Sequence, residues 1–313
     1  MTTPAPRILQ PSMEGIARAA ALLGDGALVA FPTETVYGLG ADARMGEAVA
    51  AIYEAKGRPA FNPLIVHVPD APTAKAYGQW SEAAELLAEA FWPGPLSLVL
   101  PLKDGHGLSG LVTAGLDSVA LRVPAHPAAR ELLQAFGGPV AAPSANPSGR
   151  ISPTTAAHVA AGLGAKVAAI LDDGPCTVGL ESTIVGLTGT PTLLRAGGVP
   201  REDITTVLGK PLRDPVQGRI SAPGQLASHY APKAPVRLEA TDRQGNEVLL
   251  GFGPVQGDIN LSPAGDLREA AARLFECLHK LDARARPIAV APIPKEGLGA
   301  AINDRLRRAA APR

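Results

Sequence analysis

The chain of 313 residues has little of several residue types, and each shortage narrows the class of protein. Its two cysteines, Cys176 and Cys277, are too few for a disulfide framework or a cysteine-based zinc site. Aromatic residues make up 4% of the chain, so the cores must be mostly aliphatic and rich in alanine. No apolar run approaches the roughly 20 residues of a membrane span, and residues 1–7 lack the layout of a signal peptide. These absences predict a soluble, cytoplasmic protein with free thiols.

The charge balance also excludes an excess of either sign, since Lys+Arg and Asp+Glu both total 29. A protein that binds nucleic acid over a broad surface usually carries a basic excess, although a local basic cleft remains compatible with this sequence. Hydrophobic residues make up 46% and charged residues 19%, an ordinary globular balance. The length favours about two domains.

Strand-like and helix-like segments alternate along the first two thirds of the chain. Strands are predicted at 27–31, 64–68, 96–100, 119–123, 140–142, 167–171, 183–185 and 192–194. Helices are predicted at 13–23, 46–55, 82–91, 128–136 and 155–163. The alternation indicates an α/β fold with a large open, twisted sheet. Some strands follow each other too closely for helical crossovers, so the sheet is predicted to be mixed.

The composition of the sequence and its hydrophobic pattern change after residue 208. Five prolines punctuate residues 209–235, which predicts a Pro-rich linker or a loop on the surface. Residues 236–313 contain two more strands (248–252 and 288–293) and two helices (267–281 and 298–309), so a second, smaller α/β domain is predicted there. The organisation is therefore residues 1–208, a linker or lid at 209–235, and a C-terminal domain at 236–313.

Two dense clusters in the first domain could bind a ligand. The run PTETVYGLG (32–40) follows a strand, and Thr33 and Thr35 can form hydrogen bonds there, although a tight turn explains the composition equally well. Lys56 and Arg58 flank a glycine at a helix end, a spacing that suits two cations on one phosphate. The alternative is that basic residues simply favour helix C-termini.

Single polar residues in apolar surroundings form the next group of candidates. His67 ends a strand, where a structural hydrogen-bonding role is the more common one. Arg122 ends another strand and needs an anionic partner, either a substrate carboxylate or a buried Asp.

A third cluster, APSANPSG (142–149), exposes Ser144, Asn146 and glycine backbone in a loop suited to phosphate or amide recognition. Ser182 and Arg195 lie in further hydroxyl- and glycine-rich segments. Ser144 lacks the flanking glycines of a nucleophile elbow, and the sequence contains no Walker A, G-x-G-x-x-G or H-E-x-x-H pattern. The residues therefore predict an α/β enzyme that holds an anion, without naming the reaction.

Five ordered segments together resemble the Sua5/YrdC/YciO family of threonylcarbamoyl-AMP synthases. They are PTETVYGLG, KGRP…NPL…H, DSVALRVP, APSANPSG and ESTIV, within residues 8–208. SHYAP (228–232) and GAAINDR (299–305) resemble the two-domain Sua5 branch rather than the single-domain YrdC branch.

The resemblance implies a nucleotidyltransferase that condenses L-threonine, bicarbonate and ATP, with Mg²⁺ accompanying ATP, and releases pyrophosphate. Its product would pass to a tRNA threonylcarbamoyl transferase complex that forms N6-threonylcarbamoyladenosine at position 37 of tRNA, with weak or indirect tRNA binding by this chain. Lys56 and Arg58 would be catalytic. The implied ATP-binding residues are Lys56, Arg58, Asn62, Ser118, Ser144, Asn146, Ser152, Arg195 and Tyr230. The implied L-threonine-binding residues are Thr35, His67, Arg122, Ala142 and Ser182. Tyr230 would also reach back over the cavity as part of a lid.

Two other functions remain open on the sequence. One is an RNA-binding module in translation or ribosome assembly, which the zero net charge and few aromatics disfavour. The other is an adenylate-forming enzyme that acts on a different amine.

Overall fold

A ten-stranded mixed sheet forms the larger part of the molecule, in a computed structural model that describes residues 6–59, 61–215, 222 and 228–312. Its strands are β1 (Arg7–Leu9), β2 (Val29–Phe31), β3 (Gly38–Asp42), β4 (Ile65–His67), β5 (Leu96–Pro101), β6 (Ser118–Arg122), β7 (Val140–Ala141), β8 (Ala169–Leu171), β9 (Thr183–Gly186) and β10 (Thr192–Arg195). Their order is β1-β8-β2-β3-β7-β4-β6-β5-β9-β10. β4 and β6 pair in parallel while β7 and β4 pair antiparallel, so the predicted mixed α/β sheet is confirmed.

Helices pack against this sheet, and several of them begin at side-chain caps. They are α1 (Met13–Gly24), α2 (Gly46–Lys56), α3 (Ala71–Ala74), α4 (Glu82–Phe91), α5 (Gly110–Thr113), α6 (Pro127–Phe136), α7 (Ala156–Leu163) and α8 (Arg201–Leu208). The side chains of Ser12, Ser81 and Thr155 accept hydrogen bonds from the first turns of α1, α4 and α7. α2 ends at Gly57 in the left-handed conformation (φ 59°), which places Lys56 at the helix end.

Two strands of this sheet, β1 and β3, were not predicted, and β3 was missed because its sequence resembles a turn. The run Gly38–Asp42 forms β3, which pairs antiparallel with β2. A Cβ on Gly40 would lie 2.9 Å from a ring atom of Phe31 and 3.1 Å from the carbonyl oxygen of Val29. Glycine therefore allows close packing inside a strand here, rather than marking a turn alone.

The C-terminal domain contains a smaller, parallel sheet. Its elements are β11 (Val236–Arg237), β12 (Val248–Gly251), β13 (Ile259–Asn260), α9 (Leu267–Asp282), β14 (Ile288–Val290) and α10 (Leu298–Ala310). The strand order is β11-β14-β12-β13. The predicted second α/β domain is thereby present, with two short strands, β11 and β13, that the sequence pattern did not indicate.

The core of the C-terminal domain continues into the first domain. Val36, Ile151 and Leu180 of the first domain pack in one apolar cluster with Tyr230 and with Phe275 of α9. A shared apolar cluster holds two domains together more firmly than a polar contact does.

Much of the predicted linker, 216–221 and 223–227, lies outside the described residues. The described end of it hydrogen-bonds to both domains, because His229 N donates to Arg308 O and Ala231 N donates to Gly149 O. Among the described residues, no helix has the length and apolar character that crossing a membrane requires.

Candidate active site

A small cavity of about 50 Å³ lies over one face of the large sheet, beneath the end of the linker. Side chains alternate between the two faces of a strand, so Ile65 and His67 of β4 point to the same side. The lining residues are Thr33, Thr35, Val36, Gly38, Arg58, Ile65, His67, Arg122, Ala142, Pro143, Ser144, Glu181, Ser182, Arg195, His229 and Tyr230.

Nine residues implied by the resemblance line this cavity: Thr35, Arg58, His67, Arg122, Ala142, Ser144, Ser182, Arg195 and Tyr230. Four others lie directly behind the lining. Lys56 and Asn146 are joined by a hydrogen bond beneath Ser144, Asn62 O accepts from Arg58, and Ser152 donates to Glu181.

Ser118 lies apart from the cavity, at the start of β6. It lines a separate groove with Asp117, Thr188 and Arg213. It nevertheless faces the same side of the sheet as Arg122, which is four residues further along the same strand.

The Lys56 ammonium is buried and held by carbonyl oxygens. The side chain is 4% exposed, and Nζ donates to the main-chain oxygens of Ser144 and Asn146. Burial and the neighbouring Arg58 guanidinium lower the pKa of Lys56 well below its ordinary value. An arriving phosphate would favour the charged form again.

Arg58 is held in the same way. Nε donates to Asn62 O at 3.2 Å and Nη2 donates to Pro63 O at 2.9 Å. The pKa of Arg58 is lowered to about 10, mainly by burial and also by the nearby Arg195, against the opposite influence of Tyr53 and Tyr230. Within the described part of the chain, no carboxylate forms an ion pair with Lys56 or Arg58, so their charge is not offset.

Arg122 has a carboxylate partner that the sequence analysis did not name. Its Nη2 lies 2.6 Å from Glu34 Oε1, and Glu34 Oε2 accepts from Ala125 N at 3.0 Å. The buried partner is thus a Glu within the PTET run rather than an Asp. His67, beside Arg122, is neutral, because burial and that guanidinium lower its pKa to about 3.

Hydroxyl groups complete the cavity wall. Thr33 Oγ1 lies 2.8 Å from Thr35 Oγ1 and donates to Val36 O at 2.6 Å. Ser182 accepts hydrogen bonds from Arg195 Nη2 through both its main-chain oxygen and its Oγ. The PTET run is therefore an ordered, hydrogen-bonded loop on the cavity rather than a turn alone.

Several buried polar atoms at this site have no hydrogen-bond partner among the described residues. They are the amide nitrogen and oxygen of Asn62, Oδ1 of Asn146 and Nδ1 of His229. A buried polar atom without a partner costs about 1–3 kcal/mol. Such atoms at or directly behind a cavity wall are typical of sites that hold a polar ligand or ordered water.

Tyr230 closes the cavity from the linker side. Its side chain is 1% exposed and its ring lies 4.1 Å from that of His229. The φ of Tyr230 is +61°, a conformation that non-glycine residues adopt only under constraint. A cavity of about 50 Å³ has room for only a few waters. Pockets for small-molecule ligands usually measure about 300–1,000 Å³, so this enclosed space is smaller than such a pocket.

Two carboxylates were missed by the sequence analysis, Glu34 and Glu181. Both lie inside recognised segments, PTET and ESTIV, and Glu181 lines the cavity. An arginine in an apolar segment such as that of Arg122 indicates that an anionic partner lies nearby. The sequence does not show which carboxylate this is, because the fold brings the two residues together. Gly38, Pro143 and His229 also line the cavity beyond the predicted set, as does Thr33, which the sequence offered only as a hydrogen-bonding residue of the PTET run.

These features define a class: an α/β domain whose buried cations and amides face a closable cavity for an anionic ligand. The chain belongs to the Sua5/YrdC/YciO family. The family model Sua5_yciO_yrdC, described as telomere recombination, matches residues 21–197. The model Sua5_C, described as the C-terminal domain of threonylcarbamoyl-AMP synthase, matches residues 199–311.

Relatives match along almost the whole chain. The chain is 42% identical to a threonylcarbamoyl-AMP synthase of Bacillus subtilis, across 94% of this chain and 92% of the relative. The crystal structure of Pyrococcus abyssi Sua5 complexed with L-threonine matches with a TM-score of 0.89 and 38% identity, across 97% of each chain. Escherichia coli YciO matches 61% of this chain with a TM-score of 0.53 and 19% identity, a likeness of fold alone. The predicted family and its two-domain branch are confirmed.

Proposed function

We propose that the chain is a threonylcarbamoyl-AMP synthase, a nucleotidyltransferase that condenses L-threonine, bicarbonate and ATP and releases pyrophosphate. The observation that carries the proposal is a pair of buried cations, Arg58 on the cavity wall and Lys56 directly behind it, both held by neutral carbonyl groups. This arrangement leaves positive charge for phosphates. The relatives that match both domains are named for the same reaction.

On the nucleotide side, Lys56 and Arg58 stabilise the charge that develops on the phosphates. Asn62, Asn146 and Ser144 offer amide and hydroxyl groups beside them, and the unpartnered atoms of the two amides are suited to ATP. Ser152, Arg195 and Tyr230 complete the predicted set.

Ser118 takes part only if the nucleotide extends along the sheet face beyond the cavity. Ile65, Ala120 and Ile184 form an apolar patch on that face, and Ala222 packs against it.

On the threonine side, Arg122 is proposed to bind the substrate carboxylate with N–H groups that Glu34 leaves unused. Thr35 and Ser182 provide hydroxyl groups, while neutral His67 and the small side chain of Ala142 shape the wall.

The chemistry requires neutralisation of charge and alignment more than a strong base. The threonine amine and bicarbonate form a carbamate with loss of water. An anionic carbamate oxygen then attacks the α-phosphorus of ATP, and the bond to the β-phosphate oxygen breaks as pyrophosphate leaves with its electrons. A lid that includes Tyr230 protects the carbamate and the mixed anhydride from water.

Mg²⁺ is proposed to enter with ATP rather than to occupy a protein site of its own. The described residues contain no cluster of three or more His, Cys, Asp or Glu side chains that could hold a metal ion. Phosphate oxygens would supply its ligands, and the ion would reduce the repulsion between phosphates.

The product is proposed to pass to a tRNA threonylcarbamoyl transferase complex for N6-threonylcarbamoyladenosine formation at position 37 of tRNA. The reaction is proposed to occur in the cytoplasm. The formal net charge of zero is in keeping with weak or indirect tRNA binding.

The test is pyrophosphate release from ATP and bicarbonate with and without L-threonine, followed by mass analysis of the adenylate. We expect release that depends on threonine and yields threonylcarbamoyl-AMP. Equal turnover when serine or alanine replaces threonine would favour the alternative, an adenylate-forming enzyme that is less selective for its amine. Absence of release with any amino acid, together with salt-sensitive RNA binding, would overturn it in favour of the RNA-binding alternative.

A further inference from the structure

Arg305 lies on α10 of the C-terminal domain yet points into the first domain. Its side chain is 0% exposed and is among the largest fully buried side chains of the described chain. Nε donates to Glu181 Oε2 at 2.7 Å and Nη1 donates to Ala196 O at 2.9 Å. Nη1 also donates to Asp304 on its own helix. A buried charge is tolerated only when paired, so loss of Arg305 would leave the buried Glu181 charge without this partner.

Its partner Glu181 lies on the wall of the proposed substrate cavity. Glu181 shares that wall with Arg58, Arg122 and Arg195. Burial alone would raise the pKa of Glu181, but Arg305 and Arg195 hold it below its ordinary value, so the carboxylate is ionised. Without Arg305, this negative charge would repel an incoming phosphate at short range in a buried setting.

Arg305 also contacts the lid residue. Its guanidinium carbon lies 5.0 Å from the centroid of the Tyr230 ring, which also lies 4.1 Å from the ring of His229 and 5.7 Å from that of Phe275. A cation stacked on an aromatic face stabilises that ring's position. Because Tyr230 has a positive φ, its backbone needs such contacts to keep this conformation.

Across the residues that the structure describes, one nitrogen of the Arg305 guanidinium lacks a hydrogen bond, which is unusual for a side chain that only holds the fold together. Nη2 is buried and has no hydrogen-bond partner among the described residues. Side chains kept only for packing are usually fully satisfied.

Resting on the function proposed above, we infer that Arg305 is a positioning residue for ATP. It offsets the charge of Glu181 and holds Tyr230 over the cavity, and it is too deeply buried to touch the substrate cavity itself. In this way the C-terminal domain contributes to nucleotide binding from outside the cavity.

The first experiment compares steady-state pyrophosphate release by Arg305→Met, Glu181→Gln and the double variant, with ATP varied at saturating threonine and bicarbonate. We expect Arg305→Met to raise the KM for ATP about tenfold, with a smaller loss in kcat and an unchanged KM for threonine. The double variant should recover most of the KM, because neutral glutamine no longer opposes the phosphates. Arg305→Lys should lie between Arg305→Met and the unmodified chain.

The matched control is Arg307→Met on the same helix, where the Arg307 side chain is 70% exposed. It should leave both KM values unchanged. Unchanged ATP kinetics in folded Arg305→Met, or an equal rise in both KM values without rescue by Glu181→Gln, would overturn the inference. If Arg305→Met fails to fold, the same criteria apply to Arg305→Lys with and without Glu181→Gln.

A second measurement does not depend on turnover. Amide hydrogen exchange of residues 228–232 reports the linker contact in which Ala231 N donates to Gly149 O. We expect exchange there to accelerate in Arg305→Met and to stay unchanged in Arg307→Met. Unchanged exchange in Arg305→Met refutes the lid-holding role. If the unmodified chain released no pyrophosphate, the proposed function would fail, while this exchange would still decide whether Arg305 holds the lid.

Discussion

The buried cations around the cavity fall into two groups that differ in what holds them. Lys56 and Arg58 donate to main-chain carbonyl oxygens. Arg122 and Arg305 each pair with a buried carboxylate, at 2.6 and 2.7 Å. The carbonyl groups orient a cation without offsetting its charge, whereas the carboxylates neutralise it.

The pKa values follow the same division. Burial lowers the pKa of Arg58 to about 10. Burial also acts to lower the pKa of Arg305, but Tyr230, Glu181 and Asp304 outweigh it and raise the pKa above its ordinary value. Two arginines of similar burial thus differ in whether the protein or an arriving ligand must supply the negative charge.

The largest effect is expected at the cations held by carbonyls. Lys56→Ala or Arg58→Ala should reduce kcat/KM for pyrophosphate release about 10²–10³-fold, because each removes charge that no other group replaces. Lys166→Ala is the control, since exposed Lys166 donates to Ala55 O near the same helix end. Near-normal turnover by a folded Lys56 or Arg58 variant would remove the phosphate role.

The same division explains what could be predicted from the sequence. Lys56 and Arg58 are neighbours in the chain, so their shared orientation is visible as a motif. The carboxylate partners of Arg122 and Arg305 lie 88 and 124 positions away, and only the strand order and the docking of α10 bring them together. Local patterns located most strands but carry no information on such long-range pairs.

Tyr230 connects the two groups, since its ring stacks on Arg305 while it lines the same cavity as Arg58. We expect Tyr230→Ala to uncouple the reaction, because water then reaches the carbamate and the mixed anhydride. Pyrophosphate released should exceed threonylcarbamoyl-AMP recovered about threefold or more. Tyr230→Phe, which keeps the ring, should stay coupled; equal amounts of both products from Tyr230→Ala would show that the ring is not a working lid.

A smaller effect, proton uptake on ATP binding, should follow from the way in which carbonyl oxygens hold Lys56. A lysine paired with a carboxylate would already be charged and would take up no proton. The pKa of Lys56 is lowered by burial and by Arg58, so part of the population is neutral at alkaline pH. Bound phosphate favours the ammonium, so ATP binding should take up protons and weaken as the pH rises. Calorimetry in buffers of different ionisation enthalpy measures this uptake. Lys56→Arg should abolish it, and undiminished uptake in that variant would assign the proton elsewhere.

The two domains also meet through a pair of stacked histidine rings, which are neutral. The rings of His158 on α7 and His279 on α9 stack at 3.9 Å with an interplanar angle of 19°. Burial, and then the partner ring, lowers the pKa of His158 to about 4, and burial lowers the pKa of His279. Glu276 and Lys280 lie near His158 and act on its pKa in opposite directions.

Because separated histidines titrate near pH 6.5 and the stacked ones at lower pH, the unfolded chain binds protons first as the pH falls. The stability that the stack provides is therefore complete above about pH 6.5 and is lost as the pH falls towards about 4. We expect the Tm to drop by a few degrees, roughly 3 °C, between pH 7 and pH 5 from this contact. His158→Phe keeps a stacked ring without a charge and should flatten that part of the pH profile, whereas His106→Phe should not. If the Tm of His158→Phe fell with pH in parallel with that of the unmodified chain, the stack would have no part in acid sensitivity. The effect of pH on the domain contact would then be assigned to its charged pairs.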